Sequence, residues 1–370
     1  MDFTFSTEQD DAAELAAKIL TDRATNDRQK AVEKAGDRFD RDLWAELGAA
    51  GLLGLALPEE YDGAGLGLLE LSRVLVEVGR TVAPVPLAAH GPASLVIAEL
   101  GTDEQKREWL PGAASGANVI TAAVAEERAF APTRPTTVAA SDGEGFRLTG
   151  SKAIVPAGAY ADVFLVPAET PTGVAVFLVR PGDPGVTVTP QHFSDGDTVA
   201  RLDLDGALVG SDRQLGPADG TVDHRLRNLL VLAAAAEQLG ITEGALKLTA
   251  SYAKTREQFG RPIGTFQAVS QRLADGYIDV LGQRLTLWHA AWRLAEGLPA
   301  DTEVAIAKLW AADAGHRLAH TSVHVHGGVG IDLDGEVHRY FTTAKRFEFL
   351  HGGSTEQALL VGRALAAEPA

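Results

Sequence analysis

The spacing of apolar residues along the chain predicts helices at both ends. In the first part, apolar positions recur every three or four residues, as in Asp42–Leu53 and Leu68–Val82. Ser6 precedes the first of these stretches, with Glu8 and Gln9 after it, which is the pattern of a helix N-cap. Residues 1–115 are therefore predicted to form a helical N-terminal domain.

Two segments rich in proline and glycine interrupt this helical pattern. Leu57–Gly67 reads LPEEYDGAGLG, and Val82–Ser94 reads VAPVPLAAHGPAS. Proline removes a backbone donor and glycine lowers helix propensity, so both segments are predicted to break helices.

The helical period disappears in the middle of the chain, where short runs rich in Val and Thr are bounded by Gly, Pro or Asp. Such runs are typical of strands. Residues 116–222 are therefore predicted to form a middle domain built on an antiparallel β-sheet. The predicted strands are Val119–Val124, Phe146–Leu148, Asp162–Val166, Gly173–Val179, Val186–Thr189 and Thr198–Leu204.

The helical period returns in residues 223–370, which are predicted to form a C-terminal four-helix bundle. The predicted helices are Leu226–Leu248, Gln267–Leu298, Thr302–His324 and Gly353–Leu365. Trp288, Trp292 and Trp310 stand on the apolar faces of these helices and are predicted to be core residues. Helices this apolar also suggest burial against other subunits. The predicted fold class is α+β.

Composition and charge exclude several classes of protein. The chain has 370 residues, 45% of them hydrophobic and 22% charged, and a formal net charge of -17. This charge argues against nucleic acid and anionic membranes as partners. The absence of cysteine excludes disulfides and thiolate chemistry, and we assign no metal site. The acidic N-terminus lacks the pattern of a signal peptide, and no uncharged apolar run has membrane-spanning length, so we expect a cytoplasmic protein.

The stretch Tyr252–Asp275, YAKTREQFGRPIGTFQAVSQRLAD, predicts a helix end, a turn and a new helix. Tyr252 and Arg256 are four residues apart and share a helical face. Gly260 and Pro262 are expected to end the first helix, and Thr265 is a candidate cap for the next. An ordinary helical hairpin with solvent-facing charges would explain the same pattern.

A second segment, His324–Ile331, reads HVHGGVGI. Glycine has no Cβ, so its main chain can come close to a phosphate group. Most Gly-Gly-x-Gly runs are simply turns, so this segment has little weight alone.

Together, the two motifs closely resemble the acyl-CoA dehydrogenase family, in which Arg-x-x-Phe-Gly, Phe-Gln and Gln-x-x-Gly-Gly-x-Gly segments occur in this order. The resemblance extends over the whole chain and implies a helical domain, a sheet domain and a helical bundle. It also implies contacts to an FAD that the neighbouring subunit mainly binds. The contact residues it implies are Arg256, Gln258, Phe259, Gln267, His324, Gly327, Gly328 and Gly330. His324 replaces the family's Gln and could also be a core histidine.

The reaction that the resemblance implies is α,β-dehydrogenation of an acyl-CoA thioester, in which a carboxylate removes the α-proton. The family's usual Tyr-Glu-Gly-Thr segment corresponds here to Phe349–Thr355, FLHGGST, so the catalytic position falls on His351 or Gly352. A minority of the family carries the base before the Arg-x-x-Phe-Gly turn, at the position of Leu230. None of these residues is a carboxylate.

The segments that the family places against its own flavin are also altered. The family's Trp-Ile-Thr corresponds to Ile154, Val155 and Pro156, so both the aromatic wall and the hydroxyl are lost. The family's Thr-Glu-Pro-x-x-Gly-Ser-Asp loop is hardly visible in Val124–Thr133.

The losses concern a subunit's own flavin and base, whereas the contacts to a neighbour's FAD survive. The chain therefore looks like the non-catalytic partner in an α2β2 heterotetramer with a homologous subunit. The family further implies an electron-transfer flavoprotein as acceptor and, in such heterotetramers, bulky CoA thioesters such as steroid side chains.

Two other functions stay open. The first is a homomeric dehydrogenase with a displaced base, for which Glu237 and His351 are the candidates. Glu237 lies two helical turns after Leu230, but a helix–helix contact explains it better, since a base must closely approach the α-carbon. Glu348 and Glu356 flank the C-terminal turn and are interpreted as solvated or helix N-terminal charges. The second is a non-enzymatic acyl-CoA-binding protein with the same fold.

Overall fold

The structure is a computed structural model that describes residues 4–130, 132, 134–143 and 145–367. The first helices are α1 (Thr7–Arg23), α2 (Asn26–Ala35), α3 (Arg41–Ala49), α4 (Leu68–Arg80), α5 (Leu87–Leu100) and α6 (Asp103–Ser115). The sheet strands are β1 (Ile120–Ala122), β2 (Val138–Asp142), β3 (Gly145–Val155), β4 (Val163–Thr170), β5 (Gly173–Val179), β6 (Val186–His192), β7 (Thr198–Gly210) and β8 (Gln214–Leu215). The last elements are α7 (Thr221–Thr255), β9 (Glu257–Gln258), β10 (Arg261–Pro262), α8 (Gln267–Ala295), α9 (Asp301–His326), α10 (Val337–Phe349) and α11 (Ser354–Ala367).

The order of elements confirms the predicted α+β class, with helices, then a sheet, then helices. Helix gives way to strand between Ser115 and Ile120 and returns at Thr221. The domain limits at residues 115 and 222 remain a prediction. By contacts, the chain instead forms two compact units, each assembled from separate stretches of sequence.

The unit that comprises Val32–Leu71 and Pro84–Leu230 contains the sheet, in the order β6-β7-β3-β2-β4-β5-β8. Its core is a cluster of buried apolar side chains that includes Leu148, Phe164 and Phe177. Most neighbouring strands are antiparallel, as predicted, but β4 also pairs parallel with β1 and, at one position, with β2. The sheet is thus mixed rather than purely antiparallel. After β1 the chain forms the β2–β3 hairpin and then returns as β4, which runs beside β1 in the same direction.

The prediction that Val82–Ser94 breaks helices holds only for its first part. Val82 has φ 45° and ends the preceding turn, but α5 begins at Leu87 and continues through Pro92 to Leu100. Proline inside a helix removes one backbone hydrogen bond. Most of α5, including Pro92, is buried, so packing compensates for that loss.

The other unit comprises Met1–Ala31, Ser72–Ala83 and Val231–Ala370. Glycines allow α4 and α7 to cross at very short distance. A Cβ at Gly79 would lie 2.0 Å from the carbonyl oxygen of Glu237, and one at Gly240 would lie 1.9 Å from that of Val76. Any side chain at these positions would force the two helices apart.

The C-terminal helices differ from the prediction by one additional element. The short amphipathic helix α10 lies between α9 and α11, where the sequence pattern predicted none. Trp288, Trp292 and Trp310 are only half-buried rather than core residues. Helix α8 exposes an apolar stripe of Tyr277, Ile278, Leu281 and Leu285.

Helix α1 begins with the predicted cap, and helix α7 is largely buried. The Ser6 hydroxyl accepts from the Gln9 backbone N–H, and the Gln9 side chain accepts from the Ser6 N–H in return, so the predicted cap is a capping box. Helix α7 is long and apolar enough to cross a membrane, since an 18-residue window in it has a mean hydropathy of 1.4, but 83% of that window is buried inside the protein.

Candidate functional site

A small hairpin follows α7 and carries the first motif. Gln258 pairs with Arg261 across a two-residue loop formed by Phe259 and Gly260, with φ of 57° and 76°. Positive φ at both loop positions is the geometry of a type I′ hairpin turn, which favours Asn or Gly. Phe259 adopts it although it is neither, and this residue is 92% exposed. The fold thus holds an aromatic ring in solvent at a backbone cost.

The residues around Phe259 hold the hairpin in place and present polar groups to solvent. The Ile263 N–H donates to the Arg256 carbonyl (2.8 Å), and the Arg261 guanidinium lies 4.2 Å from the centre of the Phe266 ring. The side chains of Arg256, Gln258 and Gln267 are exposed. These three side chains present hydrogen-bond donors, one of them charged, to solvent.

The predicted cap of α8 was wrong. The N-cap residue is Phe266, which makes no side-chain cap hydrogen bond. The Thr265 hydroxyl instead donates to the Pro262 carbonyl (2.7 Å) and closes the turn before α8. The single-turn helix Ile263–Thr265 displaces Thr265 from the capping position.

The second motif lies at the end of α9, where Gly327–Ile331 forms a short 3₁₀ helix. A Cβ at Gly327 or Gly328 would meet no atom within 4 Å, so their backbone faces open space. Gly330 is different, because a Cβ there would lie 3.0 Å from Val323. His324 is exposed rather than a core histidine. The motif therefore offers an open glycine backbone and an imidazole to a ligand.

The structure brings these two motifs together at one end of the helices. The rings of Tyr252 and His326 stack with centroids 4.3 Å apart and an angle of 25° between their planes. Tyr252 lies one helical turn before Arg256, and His326 directly precedes Gly327. The two motifs thus form one surface, although α8 and α9 separate them in sequence. We call it the hairpin–glycine surface and define it as residues 256–267, His324 and residues 327–331.

The segment that the family places against its own flavin lies in the sheet unit, at the end of β3. Val155 is fully buried, and Ile154 and Pro156 are half-buried. The Thr121 hydroxyl donates to the Pro156 carbonyl (2.6 Å), which fixes the segment. The three side chains provide neither an aromatic ring nor a hydroxyl, so they do not fit the role of a flavin wall.

A buried ion pair next to this segment was not predicted from the sequence. Lys152 Nζ lies 2.7 Å from Glu126 Oε1, and Glu126 also accepts hydrogen bonds from Thr136 and Thr137. Burial alone would raise the pKa of Glu126, but the Lys152 and Thr136 donors lower it to about 2. Burial lowers the pKa of Lys152 to about 8. Glu126 belongs to the predicted Val124–Thr133 loop, of which residues 131 and 133 lie outside the described residues.

Of the two candidate bases, Glu237 lies inside the packing of its own unit. It is only 4% exposed and stands next to the close α4–α7 crossing at Gly79. This location favours a role in helix packing over that of a displaced base. The assignment of Glu237 as a base remains a prediction.

The other candidate, His351, is 6% exposed and has φ 60°. The side-chain amide of Gln357 donates to its carbonyl (3.1 Å), and the Glu356 carboxylate accepts from the Gly353 N–H (3.1 Å). Glu356 is thus a helix N-terminal charge, as predicted, whereas Glu348 is mostly buried and pairs with Lys345 and His316. Side chains of α11 thus hold the backbone of this turn, and catalysis by His351 also remains a prediction.

A fully buried lysine donates hydrogen bonds to the backbone directly before this turn. Lys308 Nζ donates to the carbonyls of Phe347 (2.8 Å) and Glu348 (3.1 Å), which lie in the last turn of α10. Burial lowers the pKa of Lys308 to about 7, against the opposing charges of Glu348 and Glu356. No local pattern indicates this cap, because Lys308 is 39 residues away from Phe347.

Comparison with known proteins identifies the family. Residues 6–117 match the N-terminal domain and residues 230–366 the C-terminal domain of acyl-CoA dehydrogenases. The acyl-CoA dehydrogenase FadE27 of Mycobacterium tuberculosis is 48% identical over the whole of both chains. The chain belongs to the acyl-CoA dehydrogenase family, which uses FAD, and is an acyl-CoA dehydrogenase subunit.

Two solved structures are similar over nearly their whole length. One is the ChsE4-ChsE5 complex from Mycobacterium tuberculosis, at a TM-score of 0.95 and 48% identity, with 100% of both chains covered. The other is a variant of the Tcur3481-Tcur3483 steroid acyl-CoA dehydrogenase, at a TM-score of 0.91 and 42% identity, covering 97% of this chain and 98% of that one. Each is named for two different proteins, which is the naming of a heteromeric assembly.

Proposed function

We propose that this chain is the non-catalytic subunit of a heteromeric FAD-dependent acyl-CoA dehydrogenase. Its partner is a homologous subunit that retains the flavin wall and the base. In an α2β2 tetramer, the hairpin–glycine surface of this chain completes the FAD site of the partner. The observation that carries the proposal is a contrast: Phe259 is exposed in left-handed geometry and available to an FAD held by another chain, whereas Ile154–Pro156 lacks a flavin wall and Phe349–Thr355 lacks a carboxylate.

The hairpin–glycine surface has the chemistry that an FAD held by another chain requires. Arg256 offers a charged donor, and Gln258 and Gln267 offer neutral ones. The open backbone at Gly327 and Gly328 can approach a diphosphate without a steric clash. The Phe259 ring adds an apolar face.

The altered residues of this chain support the same assignment. Ile154–Pro156 lacks the ring and the hydroxyl expected of a flavin wall, and the Phe349–Thr355 turn contains no carboxylate. A general base must reach the α-proton within hydrogen-bond distance. Glu237, packed at the α4–α7 crossing, is poorly placed for that purpose.

The contribution of this chain to the reaction is binding and electrostatics. An FAD held there would supply the acceptor for the hydride that leaves the β-carbon of the acyl-CoA. Arg256 would place a positive charge beside the FAD, and the donors of Gln258 and Gln267 would orient it. The α-proton is taken by a base that this chain does not supply.

We further propose a bulky CoA thioester as substrate and an electron-transfer flavoprotein as acceptor. One of the two similar structures is that of a steroid acyl-CoA dehydrogenase. The replacement of the family's Trp by Ile154 removes a large ring, which is compatible with a wider site. We expect the assembly to act in the cytoplasm. A preference of the reconstituted enzyme for short straight-chain acyl-CoAs would contradict the substrate assignment.

Substitution of Arg256 tests the proposal directly. In the complex with the partner subunit, Arg256→Met should weaken FAD binding about tenfold or more, since a charge-assisted contact is lost. Lys254→Met, at an exposed position on the last turn of α7, is the matched control and should change little. Equal affinity for FAD in both variants would contradict the assignment of Arg256.

The two other functions make different predictions in the same preparation. A homomeric enzyme would bind FAD when expressed alone and would lose turnover when Glu237 or His351 is replaced. A non-enzymatic acyl-CoA-binding protein would stay colourless with every partner.

A further inference from the structure

Two side-chain contacts join the C-terminal parts of α7 and α9. The Thr249 hydroxyl lies 3.0 Å from the Ser322 hydroxyl, and both residues are buried. One turn further along, the Tyr252 ring stacks on the His326 ring with centroids 4.3 Å apart. Because one turn forward on α7 corresponds to one turn forward on α9, the two helices run parallel here.

These contacts lie directly before the two parts of the hairpin–glycine surface. Arg256 follows Tyr252 by one helical turn, and its carbonyl accepts from the Ile263 N–H within the hairpin. Gly327 follows His326 immediately and has φ 64°. Both parts are irregular and exposed, so their relative position depends on what joins the helices behind them.

The stack is well suited to fix that position. His326 is buried, and its Nδ1 lies 2.8 Å from the Ser322 carbonyl oxygen, so Nδ1 carries a hydrogen and donates it. Burial lowers the pKa of His326, against the effect of this hydrogen bond. The ring therefore has one defined orientation and stacks nearly flat on Tyr252.

The rest of the bundle leaves this stack little freedom to shift. Ala253, the residue after Tyr252, is buried, and a Cβ at Gly264 would lie 3.0 Å from its carbonyl. A Cβ at Gly276 of α8 would lie 2.5 Å from Leu318 of α9 and 3.4 Å from Leu246 of α7. Three helices are thus in close contact at this level.

We infer that Tyr252 and His326 are positioning residues for FAD, which set the distance between the hairpin and the glycine turn so that both reach one cofactor. The inference rests on the proposed function of the hairpin–glycine surface. When two segments bind one cofactor, a shift of either segment by about 1 Å lowers the affinity of the protein for that cofactor. Neither ring needs to touch the FAD.

The test uses the complex with the partner subunit and two variants of Tyr252. Tyr252→Phe keeps the stacked ring and should bind FAD as the unaltered complex does. Tyr252→Leu keeps bulk but loses the stack, and its dissociation constant for FAD should rise roughly three- to tenfold. Flavin fluorescence gives the affinity, and the absorption spectrum of the bound flavin reports its surroundings.

Trp288→Leu is the matched control in the same unit. Trp288 stacks edge-on with Phe5 (5.1 Å) and, at the helical rise per residue, lies about 30 Å along α8 from Gln267 at the hairpin end. This variant should lower the melting temperature without changing the affinity for FAD. Unchanged affinity in Tyr252→Leu, or equal weakening in Trp288→Leu, would overturn the inference.

The FAD content of the unaltered protein tests the proposed function separately from the role of Tyr252. A complex without FAD would overturn both ideas. A lone chain that binds FAD fully would overturn the proposed function only, and the same three variants, measured on the lone chain, would then decide the role of Tyr252.

Discussion

At the scale of single residues, Phe259 shows how function can oppose local stability. Left-handed backbone geometry at a non-glycine residue costs on the order of 1 kcal/mol or more, and within its own chain the exposed ring makes an edge-on contact with Phe266 (6.0 Å) but is hardly buried. Such a cost persists where something outside the chain uses the residue. The strain of Phe259 is thus linked to the surface that we assign to FAD.

Replacing Phe259 by Asn should separate stability from cofactor binding. Asn tolerates this turn geometry, so the free energy of unfolding of the lone chain should stay equal or rise by up to about 1 kcal/mol. In the complex, loss of the ring should weaken FAD binding roughly three- to tenfold. Urea denaturation and flavin fluorescence measure the two effects. A large loss of stability would show that the ring serves the fold instead.

His90 is a second informative residue, and its role is structural. It is fully buried in the sheet unit, where Nδ1 accepts from the Ile120 N–H (3.1 Å) and Nε2 donates to the Ala113 carbonyl (3.2 Å). Burial lowers its pKa to about 4, only partly opposed by the hydrogen bond to Ala113. The imidazole is therefore neutral in the folded protein at pH values where it is protonated in the unfolded chain.

Acid should therefore destabilise the protein through His90. Between pH 6.5 and 4 the unfolded chain binds more protons at this group, so the free energy of unfolding falls as the pH is lowered. From about pH 7 to about pH 5 the loss is on the order of 2 kcal/mol. His90→Gln, which can keep both hydrogen bonds, should remove this part of the pH dependence of the urea midpoint. An identical pH dependence in both proteins would contradict the argument.

At the scale of elements, Lys308 caps the C-terminal end of α10. Its ammonium group is the donor to two carbonyls in the last turn of α10, just before the turn that contains His351. Without it, two polar groups at the end of a helix would lose a partner. The turn between α10 and α11 thus depends on this distant side chain as well as on the local contacts of Glu356 and Gln357.

Lys308→Met should therefore loosen the α10–α11 turn. Loss of the donor should cost about 1–3 kcal/mol of stability and raise amide hydrogen exchange in residues 347–357. Lys345→Met, whose partly exposed ammonium pairs with Glu348 on the same helix, serves as control and should cost less than about 1 kcal/mol. Similar exchange in the two variants would argue against the capping role.

Nearby residues in the sequence were sufficient to predict some structural elements and insufficient to predict others. The Ser6 cap was predictable, because all its partners lie within three residues. Helix α5 was not, because burial of the whole helix outweighs the local effect of Pro92. Thr265 failed as a cap because the turn before α8 uses its hydroxyl.

The candidate site likewise contains residues that the sequence indicated and contacts that it did not. Arg256, Phe259 and the glycines were indicated by their motifs, and their contact with FAD stays a prediction. The contacts that hold them were not indicated, because Tyr252 and His326 are far apart in sequence and their pairing follows no motif. The same is true of the Glu126–Lys152 ion pair. Such pairs become visible only when the fold is known.

At the scale of the whole molecule, the chain combines a preserved surface with an altered interior. The hairpin–glycine surface is largely exposed and keeps the Arg, Phe and Gly residues of the motifs, whereas Ile154–Pro156 and Phe349–Thr355 lack the groups for a flavin wall and a base. Helix α8 also exposes the apolar stripe that begins at Tyr277. We expect a second subunit to cover such a stripe, as hydrophobic surface of this kind is costly in water.

The FAD content of the purified protein tests the central claim most directly. The chain is expressed alone and together with its partner subunit, and the visible spectrum is compared with the protein concentration. We predict a colourless lone chain and about one FAD per two chains in the complex, because only one kind of subunit in a symmetric tetramer carries the flavin wall. One FAD per chain in the lone protein, with its absorption bleached by acyl-CoA, would contradict the account.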